Sequence, residues 1–288
     1  MGGKKLREMM ALRELVVAPG AFSPLSAKLV QETGFKAVYM SGYCTSAFMY
    51  GYPDLGLVTM SEMLANVRLI AEAVEIPLIA DGDTGYGNPI NVARTVREYE
   101  RAGAAALHIE DQVWPKRCGH MKGKQVIPAG DMVGKIKAAV DARRCRDLVV
   151  IARTDAIAAE GLESAIARCH AYAEAGADVI FADGQENMEQ VRRVPEACGE
   201  VPCMLNMGPL TPPLSVPEIR RLGYAIVIFP AVCFAPAMLS MQESLQELRD
   251  SGRSPALEGE SFMRIFGTFN KLLSTDHYLS LDQKYRAG

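Results

Sequence analysis

Eight short apolar runs recur along the chain. Each ends in polar or glycine residues, and an amphipathic stretch follows nearly every one. They begin at Val16 (VVAPGAF), Ala37 (AVYMSG), Pro77 (PLIADGD), Ala106 (ALHIEDQ), Val149 (VVIARTD), Asp178 (DVIFADG), Val201 (VPCMLNM) and Tyr224 (YAIVIFP). Runs this short and this continuously apolar fit strands covered on both faces, as in a parallel sheet. The segments between them read as helices at 24–32, 61–74, 91–102, 132–142, 162–175 and 188–197, with apolar residues three and four apart. Ser23 is a natural N-cap for the first of these. Gly34, Gly103 and Gly176 stand where a left-handed residue ends a helix.

Eight strands alternating with helices predict an α/β fold, a closed (β/α)8 TIM barrel, as a single domain over residues 1–288. Two stretches break the rhythm. Residues 113–129 form a long polar connection after the fourth strand, the kind of ordered loop that serves as an active-site lid. Residues 235–288 carry surplus helical segments at 235–250 and 261–273, an extension expected to pack on another subunit.

Charge and composition narrow the partners. The 288 residues hold 31 Lys and Arg against 34 Asp and Glu, a net charge of −3 that argues against nucleic acid. No apolar run approaches the roughly 20 residues of a membrane helix. Seven Cys, an odd number with no CxxC, point to a reducing compartment. The basic N-terminus lacks the apolar core of a signal peptide. The expectation is a cytoplasmic protein with neither nucleic acid nor membrane as partner.

In such a barrel the chemistry sits at the C-terminal strand ends. The polar residues there are Ser41, Gly42, Tyr43, Asp81, Asp83, Glu110, Asp111, Arg153, Asp155, Asp183 and Asn206. Several carboxylates at one mouth need a cation or raised pKa values. Oxygen donors without a histidine cluster suit Mg²⁺ or Mn²⁺. Arg153 would clamp a substrate carboxylate or phosphate through two parallel bonds. Asp111 and Asp155 read equally well as helix N-caps. Asp81 and Asp83 flank Gly82 ahead of a glycine-rich turn, a pairing that turn chemistry alone does not call for. Cys118 lies in the lid beside Lys116, Arg117 and His120. Neighbouring positive charge favours a thiolate there, and a loop position predicts an accessible one. Cys169, Cys198, Cys203 and Cys233 read as small core residues, and His108 and His170 as packing.

Five segments together resemble the isocitrate lyase/phosphoenolpyruvate mutase superfamily. They are SGY at 41–43, YPDLG at 52–56, DGDTGYGN at 81–88, IEDQVWPKRCGH at 109–120 and ARTDA at 152–156. The KRCGH segment resembles the carbon–carbon lyase branches, and the set is most like the dimethylmalate lyase, petal-death and methylisocitrate lyase branch. The resemblance implies a last helix swapped between subunits of a homodimer or homotetramer. It implies Mg²⁺, replaceable by Mn²⁺, at Asp83 with Asp54, Asp81 and Glu110 around it. It implies an oxo- or hydroxy-acid substrate on Ser41, Gly42, Tyr43 and Arg153. Cys118, Gly119 and His120 would ride on the lid, Cys118 as the acid. Tyr39 or a carboxylate near the metal would be the base. Two positions depart from the family pattern: Asp183 replaces its usual Glu, and NMGPLTP at 206–212 lacks its usual carboxylate. The expected reaction is cleavage of an alkylmalate- or methylisocitrate-type 2-hydroxy dicarboxylate to pyruvate or glyoxylate plus a carboxylate. Oxaloacetate hydrolysis, phosphonate P–C chemistry and a non-catalytic keto-acid binder are the alternatives.

Overall fold

The computed structural model describes residues 2–119 and 121–286, and they divide into two compact units at Phe234/Ala235. In the first unit, α1 (Gly2–Ala11) precedes β1 (Val16–Ala21), α2 (Pro24–Glu32), β2 (Val38–Met40), α3 (Gly42–Tyr50), α4 (Met60–Ala73) and β3 (Leu78–Asp81). There follow α5 (Pro89–Arg101), β4 (Ala106–Glu110), α6 (Ala129–Ala142), β5 (Val149–Thr154), α7 (Ala156–Glu160), α8 (Leu162–Glu174) and β6 (Val179–Ala182). The unit ends with α9 (Met188–Cys198), β7 (Met204–Asn206), α10 (Val216–Arg221) and β8 (Ile226–Phe229). All eight expected strands are present.

The strands are parallel in the order β6-β5-β4-β3-β2-β1-β8-β7. A bridge between Ile180 and Cys203 brings β6 back to β7 and nearly closes the ring. The fold is a (β/α)8 barrel. Alternate strand residues face opposite ways. Val16, Ala18, Tyr39, Ile79, Ile151, Phe181, Met204 and Ile226 fill the barrel, while Val38, Ala80, Leu107, Val150, Ile180 and Val227 pack outward under the helices. Leu6 of α1, fully buried, belongs to the inner cluster.

Helix ends follow local chemistry. Ser23 caps α2 as expected, and Gly34, Gly103 and Gly176 have φ of 93°, 98° and 103°. Three starts lie earlier than the apolar spacing suggested, α6 at Ala129 and two at side-chain caps. Thr59 caps α4 in a box with Glu62, and Asn88 caps α5 in a box with Asn91. The helix α3 was hidden: its residues follow a strand without a break, and only the Ser41 cap, accepting from the Cys44 amide, starts it.

The second unit holds α11, which starts at the boundary (Phe234–Ser251), α12 (Gly259–Leu272) and an additional α13 (Thr275–Tyr285). α11 and α13 bury no residue, and α12 carries Phe262, Ile265, Phe266 and Phe269 exposed at helical spacing. No helix of the described residues is long and apolar enough to cross a membrane.

Candidate active site

β3 delivers Asp81 to the barrel mouth and then stops. Gly82 and Asp83 form the turn, with Asp83 at φ 46°, a left-handed backbone that a non-glycine residue adopts only when its surroundings hold it there. The hold is visible. Asp83 N–H donates to Asp81 Oδ1 at 3.0 Å, and Asp83 C=O accepts from Glu110 N–H at 2.8 Å. Asp81 Oδ2 in turn accepts from the Gly42 amide at 3.0 Å and from Tyr39 Oη at 3.3 Å. A Cβ on Gly42 would stand 2.6 Å from that oxygen, so only glycine fits. Asp81 is therefore a bracket tying β3 to the start of α3. With the Gly42 and Cys44 amides both committed internally, the SGY segment has the Tyr43 amide left for a ligand.

The lid brings a cation onto the carboxylates. Lys116 Nζ lies 2.5 Å from Asp54 Oδ1 and 2.7 Å from Asp83 Oδ1, with its side chain 4% exposed. Burial pushes the ammonium pKa down, but Asp83, Asp54, Glu110 and Asp81 more than reverse this, leaving it well above the ordinary lysine range. Cys118 N–H donates to Asp54 C=O at 3.2 Å and fixes the lid's backbone beside the same residue.

Arg153 is held from three sides. Its Nε and Nη2 reach Asp155 at 2.9 and 3.0 Å, Nη2 reaches Asp183 at 2.7 Å, and Nη1 lies 3.3 Å from Glu110 Oε2. Asp183 also accepts from Asn206 Nδ2 at 3.0 Å. Burial raises the Glu110 pKa well above the usual carboxylate range, against the pull of Arg153 and Lys116. Glu110 Oε1 and Asn206 Oδ1 are buried without a hydrogen-bond partner.

Several sequence expectations are corrected by this geometry. Arg153 turns its two-pronged face to Asp155 and not to open space, so Nη1 is the atom with capacity for a ligand. Tyr39 is fully buried, and desolvation together with Asp81 raises its pKa well above the phenol range. It remains a phenol at neutral pH, bonded to Asp81 and 2.9 Å from His108 Nε2, and is unsuited as the base. Asp111 and Asp155 are not side-chain caps. Asp155 pairs with Arg153 and Lys124, and Asp111 accepts from Thr154, Tyr172 and the Asp155 amide. Cys118 is buried at 8% exposure and not open to solvent. Of its cationic neighbours, Lys116 points to carboxylates and Arg117 to the Lys122 carbonyl. His120 lies outside the described residues.

Two buried lysines stand at the mouth: Lys116, which the sequence offered only as a charge beside Cys118, and Lys124, which no motif singled out. The signal was available: six buried carboxylates at one mouth require buried cations, and the lid is the lysine-rich segment beside them.

The donor set suits a divalent cation in an open site. Lys116 stands in for one between Asp54 and Asp83. Among the described residues no three His, Cys, Asp or Glu side chains form a closed cage. Mg²⁺ characteristically takes one or two carboxylates and completes its shell with water and substrate oxygens, so a two-carboxylate site is sufficient.

A strand-end mouth of carboxylates around one arginine, beside a cysteine-bearing lid, is an arrangement that suits a small anionic ligand. The chain belongs to the phosphoenolpyruvate phosphomutase family, whose model matches residues 6–249. It is 42% identical over 285 residues to the 2,3-dimethylmalate lyase of Eubacterium barkeri, covering 99% of this chain and 98% of that one. It is 45% identical over 252 residues to the 2-methylisocitrate lyase of Aeropyrum pernix, covering 87% and 80%. The structure of oxaloacetate acetylhydrolase with 3,3-difluorooxalacetate superposes at TM-score 0.92 with 39% identity, over 98% of this chain and 96% of that one. Phosphonopyruvate hydrolase in complex with oxalate and Mg++ superposes at 0.89 with 33% identity, over 99% of both.

Proposed function

We propose that the protein is a Mg²⁺-dependent carbon–carbon lyase that cleaves a 2-hydroxy dicarboxylate of the alkylmalate type to a 2-oxo acid, pyruvate or glyoxylate, and a second carboxylate. The observation that carries this reading is the lid. It seats Lys116 between Asp54 and Asp83 and docks the Cys118 backbone on Asp54, so that a thiol covers the anion-binding mouth. The similarity to the dimethylmalate and methylisocitrate lyases supports it.

A divalent ion on Asp83 and Asp54 would neutralise charge on the substrate's hydroxyl and adjacent carboxylate oxygens. The Mg++ in the phosphonopyruvate hydrolase complex supports a divalent ion, without indicating which residues hold it. Arg153 Nη1 and the Tyr43 amide orient the carboxylate. Glu110 Oε1, buried without a hydrogen-bond partner, accepts the hydroxyl proton. The C2–C3 bond then breaks. The hydroxyl carbon becomes the 2-oxo group, and the bonding pair passes to the leaving fragment as an enediolate. Cys118 Sγ gives its proton to that carbon. Asp183, Asn206 and Gly119 shape the far side of the pocket, and the lid excludes water. Such a thiol needs a reducing cytoplasm.

Incubation with alkylmalates, methylisocitrate, oxaloacetate and phosphonopyruvate, with Mg²⁺ or with EDTA and then Mg²⁺ or Mn²⁺, tests this by mass spectrometry of the products. Pyruvate or glyoxylate from a hydroxy dicarboxylate, lost in EDTA and restored by metal, is expected. Turnover of oxaloacetate alone, to oxalate and acetate, would move the protein to the hydrolase reading that its likeness to oxaloacetate acetylhydrolase favours. Full activity in EDTA would remove the metal.

We further propose a homo-oligomer. On the first unit an apolar groove of about 390 Å³ is lined by Val17 and Pro19 of β1, Phe229 of β8, Leu29 of α2 and Val216 of α10. In a (β/α)8 barrel a helix belongs there. The exposed apolar face of α12 from a second copy is its occupant.

A further inference from the structure

The lid is held at a second point that takes no part in the chemistry above. Lys124, its side chain 2% exposed, donates from Nζ to the Gly119 carbonyl at 2.5 Å and to Asp155 Oδ1 at 2.9 Å. Asp155 is the carboxylate that fixes Arg153. Gly119 lies directly against that group: a Cβ on it would come within 2.9 Å of Arg153 Nη2 and collide with Asp183 Oδ2. Lys124 thus joins the residue after Cys118 to the arginine's anchor.

We propose that Lys124 is a positioning residue, a clasp that holds the Gly119 carbonyl, and with it the Cys118 thiol, down against the Arg153–Asp155 pair. A glycine peptide rotates freely unless something fixes it. Here the Cys118 amide is pinned on one side by Asp54 and the Gly119 carbonyl on the other by Lys124. Lifting the lid strips a buried ammonium of a charge-assisted hydrogen bond, which favours the closed state. Because the clasp ends on Asp155, the thiol closes onto a mouth whose arginine is already set.

This inference rests on the lyase reading for its effect on turnover, but the lid can be read without any substrate. The rate of Cys118 alkylation by iodoacetamide, followed by mass spectrometry of its peptide, is compared in wild type and Lys124→Met, free and with oxalate plus Mg²⁺. The variant is expected to react about tenfold faster or more when ligand-free, the scale of a lost hydrogen bond to a charged group. Oxalate should protect wild type better than the variant. On the best substrate, kcat should fall about 10²-fold, as for misplaced catalytic groups, with KM far less changed. Equal alkylation rates in a folded variant would overturn the clasp. If the variant does not fold, hydrogen exchange on wild type decides. Slow exchange of the lid amides around Cys118 and Gly119 in the ligand-free protein is expected, and exchange at the rate of an open loop refutes it. If no substrate is found the lyase reading fails, and the alkylation and exchange results still judge the clasp.

Discussion

In the proposed reaction Cys118 carries the proton transfer to carbon. If its thiol protonates the leaving carbon, Cys118→Ser should lose about 10²–10⁴ in kcat, the usual worth of a general acid, because a serine hydroxyl is a far weaker one. KM should move little, since the proton is delivered in the transition state. Steady-state kinetics of the two proteins check this, and a near-wild-type kcat would transfer the acid role elsewhere. Asp155 gives a pH prediction. Burial raises its pKa, but Arg153 and Lys124 outweigh burial and hold it below its ordinary 3.8. A group whose pKa is depressed by folding adds stability above its unfolded value and loses that contribution as pH falls toward the folded one. Melting temperature should therefore fall between pH 5 and pH 2 in wild type, and less steeply in Asp155→Asn. At pH 7 that variant should already be weakened by about 3–5 kcal/mol, because Arg153 and Lys124 each lose a buried carboxylate partner. Parallel acid limbs in the two proteins would contradict the assignment.

At the scale of elements, the glycine-rich DGDTGYGN segment divides its labour. Asp81 and Asp83 serve the mouth, whereas Asn88 serves α5: its Oδ1 accepts from the Ile90 and Asn91 amides at 3.0 and 3.2 Å, and its N–H donates to Asn91 Oδ1 at 3.1 Å. Asn88→Ala should cost about 1 kcal/mol of stability, the usual worth of an N-cap, and leave turnover essentially unchanged. Thermal melting beside an activity assay separates the two, and a large loss of kcat without a loss of stability would place Asn88 in the site. The contrast with Asp83 is physical. A cap is satisfied by the next turn of its own helix, while Asp83 is held at positive φ by its N–H bond to the Asp81 carboxylate and by the bond its carbonyl accepts from the Glu110 amide of β4.

For the whole molecule, the barrel has eight strands but leaves an apolar groove over β1 and β8 on its first unit. The second unit offers exposed Phe262, Ile265, Phe266 and Phe269. Apolar patches of this kind on a protein surface mark contact sites. Light scattering should therefore report an oligomer for the full chain. Truncation after residue 255, which removes α12 and α13, should give dissociated or aggregating protein with a lower melting temperature. A stable, active monomer from the truncated chain would refute the proposed docking.

Much was determined by sequence alone. The eight strand runs, the glycine stops at 34, 103 and 176 and the long connection after the fourth strand all follow from local rules, because strand burial, left-handed stops and helix caps depend on neighbouring residues in the chain. The carboxylates of the mouth were legible for the same reason, since strand ends in a barrel share one rim. What each polar atom faces was not legible, because partners such as Asp155 and Lys124 are 31 residues apart. Arg153 looked like an open clamp until Asp155, Asp183 and Glu110 closed around it. Tyr39 looked like a base until burial raised its pKa. Lys116 read as a charge beside the Cys118 thiol until the fold turned its ammonium group onto Asp54 and Asp83. Propensity and periodicity are properties of the segment. Desolvation and pairing exist only once distant segments meet, and in this protein they decide which charges act on a ligand and which hold one another in place.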